Sequence, residues 1–283
     1  MTFIERCKQR FNKINSILSF GFDPIIEKFP DKFKTGDIES DLYLYFVEIV
    51  SNFSQYIYVI KPNIAFYEQY GLSGYKALKK IISYAKEKDI PIILDAKRGD
   101  IGATANCYAK ACFEELNADA ITLSPYLGTD SLEPFFKYKE KGFFILTRTS
   151  NKGGADFQLI KTEDNDFIYL KVAKKIIEWN KNYTNGIGAV IGATYLSELE
   201  ETIKIFITHN EDKIPILLPG VGTQGADFLE VLNIFKKYNY PFYSIFINSS
   251  SKISYAHLEH KDKDYLSAIE EEINKVLLKN FLF

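Results

Sequence analysis

Eight short apolar runs, each followed by a helix-length stretch, succeed one another along 283 residues with no change in composition between them. This alternation predicts the α/β class and a single-domain (β/α)8 TIM barrel over residues 1–283, with an extra helix before the first strand. Three observations carry the prediction: the count of eight, the lack of any linker-like or low-complexity tract, and polar residues at the carboxyl end of successive apolar runs. In a closed barrel those ends meet on one face; in an open sheet they would spread along a line.

An amphipathic helix over about Thr2 to Asn15 opens the chain. Strand one reads Ile17-Leu18-Ser19-Phe20-Gly21 and ends at Phe22-Asp23-Pro24, where proline removes a ladder donor. A helix near Ile38 to Ser51 leads to strand two, Tyr56 to Ile60, which ends in Lys61-Pro62-Asn63. After a helix over Gly74 to Lys88, the apolar triplet Ile92-Ile93-Leu94 reads as a buried parallel strand and is followed by Asp95-Ala96-Lys97-Arg98-Gly99-Asp100-Ile101-Gly102-Ala103-Thr104. Side chains two apart on a strand share a face, so Asp95 and Lys97 are expected to project together, with Asp100 and Thr104 on the turn beyond. A helix to about Leu116 precedes strand four, Ala120 to Leu123. Strand five, Phe143 to Leu146, ends in Thr147-Arg148-Thr149-Ser150-Asn151. Helix Phe167 to Trp179, strand six (Gly188 to Ile191), helix Leu196 to Ile207, strand seven (Ile216 to Leu218), strand eight (Phe242 to Ile247) and a charged helix over Asp264 to Leu278 complete the series.

A net charge of -2 gives no electrostatic case for nucleic acid or an anionic membrane, and 46% hydrophobic residues supply a large core. No stretch reaches the roughly 18–20 apolar residues of a membrane helix, and Met1 to Asn15 is charged rather than signal-like. Cys7, Cys107 and Cys112 lack metal-ligand spacing, which favours buried thiols in a reducing, cytoplasmic setting.

The polar strand ends suggest chemistry. Lys61, Asp95, Lys97 and Asp100 would form an alternating set of two cations and two anions, each holding its neighbours ionised. Such a set is a proton-donor site with fixed charges; a purely structural ion network, or a helix cap at Asp100 beside a surface ion pair, are the plainer readings. Strand seven ends in Pro219-Gly220-Val221-Gly222-Thr223-Gln224-Gly225, which formally matches G-x-G-x-x-G. A dinucleotide fingerprint belongs at the first β-α turn with an acidic residue roughly 20 positions on; this one lies late and lacks the acid. A barrel phosphate site after strand seven fits better.

Taken together, Asp95 to Thr104, Phe20 to Pro24, Ile60 to Asn63, Ser124 to Gly128, Arg148 to Asn151 and Pro219 to Gly225 resemble, in order, the signatures of the orotidine 5′-phosphate decarboxylase family, most like its longer, mainly bacterial branch. The resemblance covers nearly the whole chain. It implies removal of CO2 from C6 of orotidine 5′-monophosphate to give UMP, the last step of pyrimidine nucleotide synthesis, without metal or organic cofactor. By resemblance Lys97 is the proton donor to C6, Asp95 lies beside the substrate carboxylate, and Lys61 orients the network and contacts ribose. Asp100 and Thr104 are implied to cross a homodimer interface to the neighbouring ribose. Asp23 and Asn63 are implied to face the ribose and carboxylate region, Ser150 with Thr149 the pyrimidine edge, and Gln224 with Pro219, Gly220 and Gly222 the phosphate. The chain departs from the family where an arginine usually clamps the phosphate: Asn248-Ser249-Ser250-Ser251-Lys252 places Ser251 there with Lys252 next to it. Lys252 offers a point charge but no bidentate fork. A metal-dependent sugar-phosphate decarboxylase, a nicotinamide enzyme and a non-catalytic nucleotide-binding barrel are the alternatives. Lys61 in place of an acid, the misplaced glycine motif and the four clustered charges argue against each in turn.

Overall fold

Eight parallel strands, β1 (Leu18–Phe20), β2 (Val59–Ile60), β3 (Ile93–Arg98), β4 (Ala120–Leu123), β5 (Gly142–Arg148), β6 (Ile187–Ile191), β7 (Ile216–Leu218) and β8 (Ile245–Ser249), hydrogen-bond in the order β2-β1-β8-β7-β6-β5-β4-β3. Parallel bridges Ile60–Ile92 and Asn63–Asp95 bring the two ends of that sheet together, so the strands form the expected (β/α)8 barrel. The computed structural model describes residues 1–209, 214–220 and 228–281, with side chains as far as Leu277 in the last helix. Among the described residues no helix is long and apolar enough to cross a membrane. Cys7 and Cys112 are buried, whereas Cys107, expected to be buried, is exposed on the helix after β3.

The barrel interior is layered by strand alternation. Val59, Ile93, Ala120, Phe144, Val190, Leu217 and Phe246, one from each of seven strands, form a buried apolar cluster. Two residues further toward the carboxyl end, on the same inward face, stand Lys61, Asp95, Thr122 and Leu146. The apolar layer thus becomes the platform on which charged groups are presented. Alternate residues such as Ile60, Leu94, Ile121 and Ile145 point outward into the larger core between strands and helices.

The helix Phe3–Ile14 closes the opposite end. Thr2 and Glu5 form a capping box at its start, and its buried face inserts Phe3 and Cys7 beneath the interior cluster. The Phe3 ring lies 6.0 Å edge-on to Phe144 and 5.9 Å stacked on Phe246. Arg10 from the same helix is 5% exposed. It donates through Nε and Nη2 to the Ile57 carbonyl, through Nη2 to Ser54 and through Nη1 to Asp89. Ser54 and Asp89 follow the helices Ile38–Phe53 and Gly71–Glu87, and Ile57 precedes β2, so one guanidinium ties three chain segments together. Arg10→Ala is therefore expected to lower the unfolding free energy by about 2–4 kcal/mol, read as a shift of the urea midpoint at unchanged slope.

Several expected strands differ from their sequence reading: strand two, expected from Tyr56, is confined to Val59–Ile60, and strand five runs on to Arg148. Strand eight begins later, because Phe242–Ser244 forms a 3-10 turn after Pro241, and it continues through Asn248 and Ser249, which pair with Ser19 and Phe20 of β1. Strand three does not stop at Leu94 but runs to Arg98, with an irregularity that shapes the site.

Candidate active site

Asp95 is the hub at the carboxyl end of the barrel. Its main chain is pinned from β2, with its N–H donating to the Pro62 carbonyl at 2.9 Å and its carbonyl accepting from Ile64 N–H at 3.2 Å. Its Oδ2 accepts from Lys61 Nζ at 2.9 Å, and its Oδ1 accepts from Lys97 Nζ at 2.6 Å and from the Thr122 hydroxyl at 2.9 Å. The two lysines are not equivalent. The Lys61 side chain is 5% exposed, while that of Lys97 is 50% exposed and faces open space. Burial by itself raises the Asp95 carboxyl, but the ammonium charges of Lys61 and Lys97 outweigh it and hold the group well below the usual carboxylate range. Burial likewise opposes the Lys61 charge, and Asp95 followed by Asp23 reverses the balance, leaving Lys61 above the ordinary lysine value.

Asp95 and Lys97 do meet, although not by simple strand alternation. Between the pairs Leu94–Ile121 and Arg98–Leu123 the register shifts, so that Asp95, Ala96 and Lys97 oppose the single residue Thr122. Lys97 absorbs the excess length with φ +45°, in the left-handed region that a non-glycine residue rarely occupies.

A cavity of about 550 Å³ opens above this triad, a size suited to a small organic ligand. Its polar wall is Lys61, Asp95, Lys97, Thr122, Thr149, Ser150, Asn151 and Gln158; Leu146, Val190, Leu217, Pro219 and Phe157 supply the apolar part. Thr149 and Ser150 are set by a knot of contacts beyond β5. Gln158 Oε1 accepts from Thr149 N–H at 2.9 Å, and Gln158 Nε2 donates to Thr149 Oγ1 at 2.9 Å. The buried Arg148 donates to the Thr149 carbonyl and lies 3.7 Å over the Tyr195 ring. Gly192 lets this segment rest on β6, since a Cβ there would sit 2.6 Å from Ser150 Cα.

Of the residues singled out by sequence, Lys61, Asp95, Lys97, Thr149, Ser150 and Pro219 line one cavity. Asp23 and Asn63 stand beside it, tied together by a 3.2 Å bond from Asn63 N–H to Asp23 Oδ1. Gly220 follows β7 with φ +91°, a turn that glycine permits; Gly222 and Gln224 lie outside the described residues. The expected four-charge set is a three-charge set within the chain. The Asp100 carboxylate accepts from its neighbour Ile101 N–H rather than from either lysine, and Thr104 is exposed on helix Gly102–Lys110. Asp100 does not cap that helix either, because Ile101 occupies the cap position. Ser251 and Lys252 open a short helix, Ser251–Ser254, outside the cavity lining. Sequence reasoning missed Thr122 and Gln158. Thr122 was signalled as the one polar residue of β4, two after the inward Ala120, whereas Gln158 ends a single-turn helix, Ala155–Gln158, too short to show a period.

Comparison with known proteins shows the family and the fold. A model of the orotidine 5′-phosphate decarboxylase / HUMPS family matches residues 43–237. The orotidine 5′-phosphate decarboxylase of Dehalococcoides mccartyi is 43% identical over 230 residues, 80% of this chain and 80% of its own length. That of Herpetosiphon aurantiacus is 40% identical over 231 residues, 81% of this chain and 83% of its own. The solved OMP decarboxylase of Leishmania donovani superposes with a TM-score of 0.79 at 30% identity, covering 100% of both chains. With the family model spanning residues 43–237 and relatives of 40–43% identity over about 80% of the chain, the chain belongs to the orotidine 5′-phosphate decarboxylase / HUMPS family.

Proposed function

We propose that the chain decarboxylates orotidine 5′-monophosphate to UMP and CO2, a carboxy-lyase step of pyrimidine nucleotide synthesis, and that Lys97 protonates C6. The observation that carries this reading is the asymmetry of the triad: one ammonium locked beneath Asp95, the other held against the same carboxylate but exposed to the cavity. Breaking the C6–carboxylate bond leaves the electron pair on C6 in the plane of the ring, where the π system cannot spread it, so fixed charge has to stabilise it. Lys97 Nζ supplies that charge and then a proton to C6; the resulting amine regains a proton from water. Asp95 keeps both lysines in place and would lie beside the leaving carboxylate. Thr149 and Ser150 suit the pyrimidine edge, Asp23 and Asn63 the ribose side, and Pro219, Gly220, Gly222 and Gln224 the phosphate, with Ser251 and Lys252 at its margin.

The reading includes a homodimer in which Asp100 and Thr104 serve the neighbouring site. Asp100 stands apart from its own triad, and the exposed rings of Tyr126 and Phe157, 6.1 Å apart at the mouth, are surface suited to being covered. A reducing cytoplasm suits the unpaired cysteines. Purified, chelator-treated protein should consume orotidine 5′-monophosphate with loss of its ultraviolet absorbance. No turnover of bound substrate would reject the reading in favour of a nucleotide-binding barrel, and turnover that depends on added metal would favour a metal-dependent relative. At the phosphate margin, Lys252→Ala is expected to raise the Michaelis constant about 3- to 10-fold at little cost in kcat, as for loss of one partly screened charge contact. An unchanged constant would remove Lys252 from the site.

A further inference from the structure

We infer that Thr122 is a positioning residue that keeps the Asp95 carboxylate and the Lys97 ammonium in working register. The inference rests on the decarboxylase reading and extends it to a residue that acts through its bonds to the Asp95 carboxylate and the Lys97 amide.

The geometry is a closed ring of hydrogen bonds. Lys97 N–H donates to Thr122 Oγ1 at 2.9 Å, the Thr122 hydroxyl donates to Asp95 Oδ1 at 2.9 Å, and Lys97 Nζ donates to that same Oδ1 at 2.6 Å. Lys97 therefore enters the ring twice, once through its backbone and once through its ammonium, with Thr122 spanning the gap. Thr122 is also the one residue of β4 facing the three-residue excursion of β3. A lysine in the left-handed region is strained and persists only where its surroundings fix it, and the Thr122 oxygen is the acceptor that fixes its amide. The residue is 1% exposed, and β-branching restricts its rotamer. Without that hydroxyl, the Lys97 amide loses its acceptor and Oδ1 loses one of its two donors. The excursion can then relax and the carboxylate can turn, carrying Lys97 Nζ away from the reacting carbon. A displacement of about 1 Å is enough to cost on the order of 100-fold in rate.

Thr122→Val removes the hydroxyl at nearly constant volume, and Thr122→Ser retains it. With orotidine 5′-monophosphate as substrate, the valine variant is expected to fold with a melting midpoint within a few degrees of the parent. Its kcat should fall about 10- to 100-fold, the loss of a hydrogen bond to a charged group, with the Michaelis constant changed less than about threefold. The serine variant should recover kcat to within about threefold of the parent. Full activity in Thr122→Val, or an equal loss in Thr122→Ser, would overturn the inference, the latter because packing rather than the hydroxyl would then be responsible. If Thr122→Val does not fold, Thr122→Ala against Thr122→Ser is judged by the same criterion. A parent chain inert toward the substrate would reject the decarboxylase reading itself, an outcome distinct from an active parent with an equally active valine variant.

Discussion

Lys97→Ala is expected to reduce turnover of orotidine 5′-monophosphate by roughly 10⁴- to 10⁶-fold, combining loss of a positioned acid with loss of the charge that faces the carbanion. Binding of UMP should change far less, because most of the cavity wall belongs to other residues. The fold should survive. Alanine at φ +45° is no more strained than lysine, since both carry a Cβ, and Asp95 keeps Lys61 and Thr122 as partners. Calorimetric titration with UMP and a melting curve, run beside the rate assay, separate chemistry from binding and folding. A variant that binds UMP normally and still turns over at a tenth of the parent rate would show that another group delivers the proton.

Asp95→Asn is expected to cost both activity and stability. Removing the shared anion leaves Lys61, 4% exposed, with the more distant Asp23 as its remaining counter-charge. Breaking one side of a buried pair costs about 3–5 kcal/mol, and the released lysines should lower kcat by roughly 10³-fold or more through lost orientation. The pH dependence follows from the directions of the two shifts. Asp95 is depressed in the folded chain, so its contribution is fully present above the ordinary carboxylate value of about 4 and is lost as pH falls through its lower folded value. Lys61 is raised, so its contribution is complete below the ordinary lysine value of about 10.4 and is lost as pH rises through its higher folded value. The stability gap between parent and variant should therefore be flat from about pH 5 to pH 9 and close at the acid end. Urea denaturation across that range measures it, and parent-like stability of the variant at pH 7 would contradict the arrangement.

The parts of the site that follow from strand period were legible in the sequence. Lys61 and Asp95 each lie two residues beyond an inward apolar residue, Val59 and Ile93, so alternation alone aims them into the barrel. Lys97 was legible as a participant but not in its route, since nothing in Asp95-Ala96-Lys97 announces three residues set against one or a lysine in a conformation that favours glycine. Gln158 was illegible because its partner Thr149 is nine residues away across a 3-10 turn and a single-turn helix, each too short to leave a periodic signal. Asp100 was read by charge proximity along the chain, whereas the turn at Gly99 to Gly102 carries it off the triad. Strand eight was misplaced because a run of aromatic residues reads as strand even where Pro241 starts a tight turn.

The aromatic packing of Phe3, Phe144, Phe246 and Tyr58 at the foot of the barrel has a consequence for traffic. Among the described residues the axis is filled below Val190 and Leu217, so the cavity is closed at its foot, and on the proposed reading both products leave toward the mouth through which the nucleotide would enter. A gas and a nucleotide then share one doorway, and the smaller product has to slip past the larger or wait behind it. On that reading, a rim that holds the nucleotide tightly enough to orient it would also govern how quickly carbon dioxide escapes, so that retention of one product and venting of the other are set together.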